Sequence, residues 1–95
     1  MTREDIIRIL AEVLPELREQ YKVRTLGLFG SYARGDQTEH SDIDLLVDVE
    51  PSIGLDFVDL AERIETLLGH HVDLVSTRAI KKRYRQVIEQ DLIHV

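Results

Sequence analysis

The sequence predicts an α+β domain, α/β-like in its alternation, built on a small mixed sheet of about three strands flanked by helices. Three observations predict it. Short apolar runs with strand character alternate with segments whose apolar residues recur at helical spacing. The connections are short, and the 95 residues contain no linker, repeat or low-complexity stretch, so residues 1–95 read as one domain. A Gly-Ser turn ends the first strand and acids sit near the starts of the next two, and gathering turn and acids at one place demands one antiparallel and one parallel pairing.

The elements follow in order. Ile6, Ile7, Ile9, Leu10, Val13, Leu14 and Leu17 mark a first helix, with Thr2 and Asp5 as a capping pair at its start. Pro15 falls inside this pattern and predicts a kink or break near Leu14, with helix resuming toward Tyr21. Val23–Phe29 reads as a strand ending at Gly30. Ser31 begins a short helix that Gly35 releases. Ile43–Val49 is a second strand, apolar except for its acids. Pro51, Ser52 and Gly54 mark a turn. Leu55, Val58, Leu60, Ala61, Ile64, Leu67 and Leu68 line one face of a helix capped by Gly69. Residues 71–75 form the third strand. Residues 77–91 form the last helix, with an apolar stripe of Ile80, Tyr84, Val87 and Ile88.

Composition removes several function classes. There is no cysteine, so disulfides and cysteine-ligated zinc or iron are excluded. No apolar run reaches membrane-spanning length and the polar N-terminus has no signal-peptide core, so the expectation is a cytoplasmic protein without a membrane partner. A net charge of −6 argues against nucleic-acid binding by bulk charge. Against that acidic background, Arg78, Lys81, Lys82, Arg83 and Arg85 form a basic cluster, either a solvated face or a docking surface for a protein partner.

The chemistry concentrates in Gly30-Ser31-Tyr32-Ala33-Arg34-Gly35, Ser41-Asp42-Ile43-Asp44-Leu45 and the later Asp73. Residues two apart in a strand share a face, so Asp42 and Asp44 present both carboxylates to one side while Ile43 and Leu45 enter the core. Carboxylate oxygens suit magnesium, whose shell is completed by phosphate oxygens and water, and a pair of such ions can clamp an in-line phosphoryl displacement. Asp73 is the natural third ligand. Lying on the neighbouring strand, it is also placed on the acceptor side, where a carboxylate can take the proton of an attacking hydroxyl. Gly30 lets the backbone approach a phosphate, and Ser31 adds a hydroxyl at a helix start that favours an anion. Arg34, one turn later, either contacts phosphate or pins the loop to an acid. His40, His70, His71 and His94 read as surface residues, and Tyr32 as packing against the sheet. The residues thus point to metal, a nucleoside triphosphate and an acceptor hydroxyl.

The run G-S-x-A-R-G followed by S-D-x-D-L resembles the DNA polymerase β-like nucleotidyltransferase superfamily, in particular its MNT branch, the minimal nucleotidyltransferases. The resemblance covers essentially the whole chain and implies the polymerase β-like nucleotidyltransferase fold. It implies Asp42, Asp44 and Asp73 as catalytic and metal-binding residues, Gly30, Ser31 and Arg34 as nucleotide-binding, and Mg²⁺ with ATP as cofactor and substrate. It further implies an antitoxin that transfers AMP to a hydroxyl, a tyrosine in related pairs, of a partner HEPN RNase toxin. Two alternatives stay open: a binding antitoxin that acts by steric cover, and a nucleotidyltransferase for a small molecule or an RNA end.

Overall fold

The computed structural model describes residues 1–95, and its first helix begins with a reciprocal cap. The Thr2 hydroxyl accepts from the Asp5 N–H at 3.1 Å while the Thr2 N–H donates to the Asp5 carboxylate at 3.0 Å, opening α1 (Arg3–Tyr21). Ile6, Leu10, Leu14 and Leu17 form its buried stripe, with Ile7, Ile9 and Val13 packed at the margins. The helix continues through Pro15 rather than breaking. Pro15 and Ala11, whose carbonyl loses its usual donor, both lie on the exposed face, where water can take that carbonyl's bond.

Four strands form the sheet, one more than expected, in the order β3-β2-β1-β4. They are β1 (Val23–Phe29), β2 (Ile43–Val49), β3 (Val72–Ser76) and β4 (Ile93–His94). The two pairings required to bring the Gly-Ser turn and the acids together are both present: β1 runs antiparallel to β2 and β2 parallel to β3, which leaves β2 central. The addition is β4, antiparallel to β1 through Gly27 and Leu28. Two residues are too few to show any periodicity. A register shift between Val23 and Thr25 leaves Arg24 and Thr25 both exposed and sets the buried alternation again from Leu26, a bulge the sequence pattern did not show.

One sheet face is apolar and closed. Leu26, Leu28, Ile43, Leu45, Val47, Val49 and Val72 pack there in one cluster with α1 and with Leu60, Ile64 and Leu68 of α3 (Asp56–Leu68). The buried stripe of α3 is narrower than the sequence suggested, because Leu55 and Val58 are exposed at its first turn. Gly69 ends α3 at φ 62°, as expected of a left-handed cap. The opposite sheet face carries Asp44, Leu46 and Asp48 on β2, Gly27 and Phe29 on β1 and Asp73 on β3.

The last helix departs most from expectation. A 3-10 turn (Thr77–Ala79) precedes the α-helix, which is only Lys82–Asp91 (α4, after the short α2, Ser31–Arg34). Arg78 therefore lies off the helix. Tyr84 and Val87 of the expected apolar stripe are 53% and 59% exposed, and no residue of α4 is buried. The core is already filled by α1 and α3 on the other face, so α4 crosses the open face with little to bury.

What holds the C-terminal end down is Gly27. A β-carbon there would run into the Leu92 side chain and come within 3.2 Å of the Ile93 carbonyl. Gly27→Ala is expected to cost about 1–3 kcal/mol in urea unfolding, with the exchange of the Val95 N–H, now bonded to the Leu26 carbonyl at 2.9 Å, accelerated most. Parent-like stability and protection would mean that this contact does not anchor β4.

Candidate active site

The parallel pairing sets Asp44 directly beside Asp73, and the antiparallel pairing sets Phe29 opposite Asp44. Neighbouring strands are about 4.8 Å apart, so the two carboxylates rise from adjacent positions on one face. The intervening positions are as expected: Ile43 and Leu45 are fully buried beneath them. Asp42 precedes β2 and is exposed at the rim, where its carboxylate lies 3.3 Å from His71 Nδ1.

This crowding is visible in the acidity of Asp44. Partial burial, then the neighbouring charges of Asp73 and Asp42, push its carboxyl above the ordinary range, and Arg34 offsets only part of that. Three carboxylates with one distant cation form a donor set that suits a hard divalent ion. No three His, Cys, Asp or Glu side chains converge into a finished cage, so phosphate or water oxygens would have to complete the shell.

Gly30 has a geometric role beyond the one inferred from sequence. Its φ of 76° and ψ of −157° belong to a region open essentially to glycine alone. A β-carbon at this position would collide with the Asp44 carboxylate. The turn is therefore bare because Asp44 must lie against it, whatever ligand approaches from the other side. Ser31 opens α2, whose N-terminus has no side-chain cap, and Gly35 closes it at φ 83°.

Arg34 forms an acid tie. Its Nε donates to Asp36 at 3.1 Å and its NH1 to Asp91 of α4 at 2.8 Å. These bonds raise its already high pKa and link the Gly30-Ser31 turn to the end of α4. Tyr32 is buried as expected, with its hydroxyl 3.2 Å from His70 Nε2 and the two rings meeting edge to face. His71, read as a plain surface residue, also faces Glu65 at 3.9 Å, and its carbonyl accepts from the Ile43 N–H. The parallel pairing of β2 with β3 was the signal that could have placed His71 beside Asp42. His40 reaches only Glu39.

The folded state holds the Asp44 proton more tightly than the unfolded chain does. Ionising Asp44 therefore costs stability, a cost absent below the ordinary value of 3.8 and growing as pH rises through the raised value. Asp44→Asn is expected to be more stable than the parent at neutral pH, with the gap closing as pH falls toward 3.8. Paired urea titrations measure this, and an Asp44→Asn protein less stable than the parent at pH 7 would contradict the charge crowding.

Comparison with known proteins places the chain in a family and supports its fold. The nucleotidyltransferase domain model matches residues 10–94. The protein adenylyltransferase MntA of Thermococcus cleftensis is 43% identical over 100% of this chain and 97% of its own length. A solved structure provisionally described as a minimal nucleotidyltransferase superposes with a TM-score of 0.82 at 36% identity, covering 98% of this chain and 95% of that one. A solved complex of a tri-AMPylated Shewanella oneidensis HEPN toxin with an MNT antitoxin matches with a TM-score of 0.59 at 25% identity, over 97% of this chain and 66% of that one. A family match that spans the Gly-Ser turn, the paired acids of β2 and Asp73, together with whole-length relatives, means that this chain belongs to the nucleotidyltransferase domain family.

Proposed function

We propose that the chain is a protein adenylyltransferase that transfers AMP from ATP to a hydroxyl, a tyrosine by analogy, of a HEPN RNase toxin and so acts as its antitoxin. The observation that carries this reading is the placement of Asp42, Asp44 and Asp73 at one rim of the sheet, beside the uncapped start of α2. The adenylyltransferase and toxin–antitoxin relatives support the choice of AMP and of a protein acceptor.

In this mechanism the Ser31 hydroxyl and the free N–H groups of the first turn of α2 hold the departing phosphates. Asp42 and Asp44 would hold Mg²⁺, which would supply charge neutralisation to the triphosphate. Asp73 takes the proton of the acceptor hydroxyl. The acceptor oxygen forms a bond to the α-phosphorus as the bond from that phosphorus to the bridging oxygen breaks. Pyrophosphate leaves with the electron pair. Arg34 keeps the turn in place through Asp36 and Asp91, and its positive charge is felt at Asp44. Tyr84 and Val87, exposed on α4 beside Lys82 and Arg83, support docking of a protein partner.

The test incubates the purified chain with Mg²⁺, ATP and the HEPN toxin and reads AMP addition by mass spectrometry. Asp42→Asn and Asp44→Asn are expected to lower transfer by about a hundredfold or more and to weaken nucleotide binding. Asp73→Asn is expected to retain nucleotide affinity while losing roughly 10²–10⁴-fold in transfer. Transfer near the parental rate in a folded Asp42→Asn/Asp44→Asn double variant would refute the metal assignment. Loss of ATP binding in Asp73→Asn as severe as in Asp44→Asn would make Asp73 a shared ligand and not a separate base.

A further inference from the structure

The three acids line no cavity. They stand on an open rim, and the nearest cleft begins one step further along the same sheet face. It has a volume of about 310 Å³, at the low end of ligand-sized pockets, and lies between the sheet and α4. Thr25, Gly27, Leu46 and Asp48 line it from the sheet, and Arg85 and Glu89 from the helix.

Its position follows from the strand register. Gly30 and Ser31 lie beyond Phe29, which pairs with Asp44, so the phosphate-side turn sits outward of the acids. Gly27 pairs with Leu46 and Thr25 with Asp48, so the cavity sits inward of them on the same face. An in-line displacement needs the nucleophile and the leaving group on opposite sides of the phosphorus. With pyrophosphate departing toward Gly30 and Ser31, the acceptor comes from the cavity side.

The charge of the cavity narrows the occupant. Arg85 Nε meets Glu89 at 3.2 Å, and no ion pair joins Arg85 to Asp48. The cation nearest Asp48 on the strand, Arg24, is bonded to Glu50 at 2.7 Å and is pulled up mainly by that contact, with Asp48 a lesser influence. Asp48 is thus half-buried in the cavity with no ion-pair partner of its own. An acid in that state is a receptor for a cationic donor.

We propose that this cavity is the acceptor-side subsite, and that Asp48 recognises an Arg or Lys side chain flanking the acceptor hydroxyl on the partner protein. Asp48 lies four residue steps along the strand from Asp44, about 13 Å, which sets the spacing between the hydroxyl and the cationic group. The proposal rests on the AMP-transfer reading above and adds to it a residue that sets acceptor specificity.

The test is steady-state AMP transfer with the HEPN toxin as acceptor, varying toxin and ATP separately, for the parent, Asp48→Asn and Asp48→Lys. Asp48→Asn keeps the side-chain shape and guards against a folding artefact. It is expected to raise the KM for toxin about tenfold or more while the KM for ATP and kcat stay within twofold of the parent, and to flatten the salt dependence of toxin KM. Asp48→Lys is expected to be worse, and Asp48→Glu to recover most of the loss. Raised KM for ATP with unchanged toxin KM would assign the cavity to the nucleotide and overturn the proposal. Unchanged values for both would leave Asp48 without a role in recognition. Absence of transfer by the parent would remove the AMP-transfer reading itself, and the proposal with it; an altered Asp48 profile can be read only where the parent transfers.

Discussion

Two carboxylates side by side on parallel strands are the constraint on which the rest of this structure depends. Asp44 and Asp73 repel each other, and the crowding shows as a raised pKa for Asp44. A pairing with that cost persists because the opposite face of the same strands is fully apolar. Ile43, Leu45 and Val72 are buried under the acids, and a slip of one residue would expose them all. The hydrophobic register thus holds the acids together against their own charge, and a bound cation would relieve what the fold alone leaves unrelieved.

The same coupling explains the turn. Gly30 cannot carry a side chain because Asp44 occupies the space. The uncapped start of α2 and the acids of β2 are therefore parts of one packing unit. Arg34 extends that unit to α4 through Asp91, a link over 57 positions of chain. It is an exposed pair and modest as a source of stability. Its value is positional, since it fixes how the end of α4 lies relative to the Gly30-Ser31 turn.

Much of this was legible in the sequence, and the reasons differ by element. The topology of the first three strands followed from requiring the Gly30-Ser31 turn, Asp42, Asp44 and Asp73 to meet, which is a stronger constraint than any propensity. The capping pair Thr2 and Asp5 and the cap at Gly69 follow from local chemistry that tertiary structure seldom overrides. Pro15 misled because the cost of an internal proline falls when the orphaned carbonyl faces water. Tyr84 and Val87 misled because helical spacing of apolar residues reports a face that needs cover, and cannot say whether the chain itself supplies it. β4 was invisible at two residues, and His71 needed the strand register before its contact with Asp42 could be seen.

The exposed side of α4 is the one place where the fold leaves a sequence signal unanswered. Its helix has an apolar stripe and a basic first turn, yet no acidic residue complements the positive end of its dipole. Cations placed there oppose the helix rather than support it. The ties visible at its C-terminal end are Arg34 to Asp91, and then β4 and Leu92 against Gly27. A helix so weakly supported by its own chain is one whose apolar stripe and unbalanced charge can both be satisfied by an external surface. Because the same helix roofs the cavity that continues from the acids, a surface that covers its outer side also bears on how the space beneath it is held. The last helix is thereby left with an apolar stripe and a first-turn charge that its own chain does not satisfy.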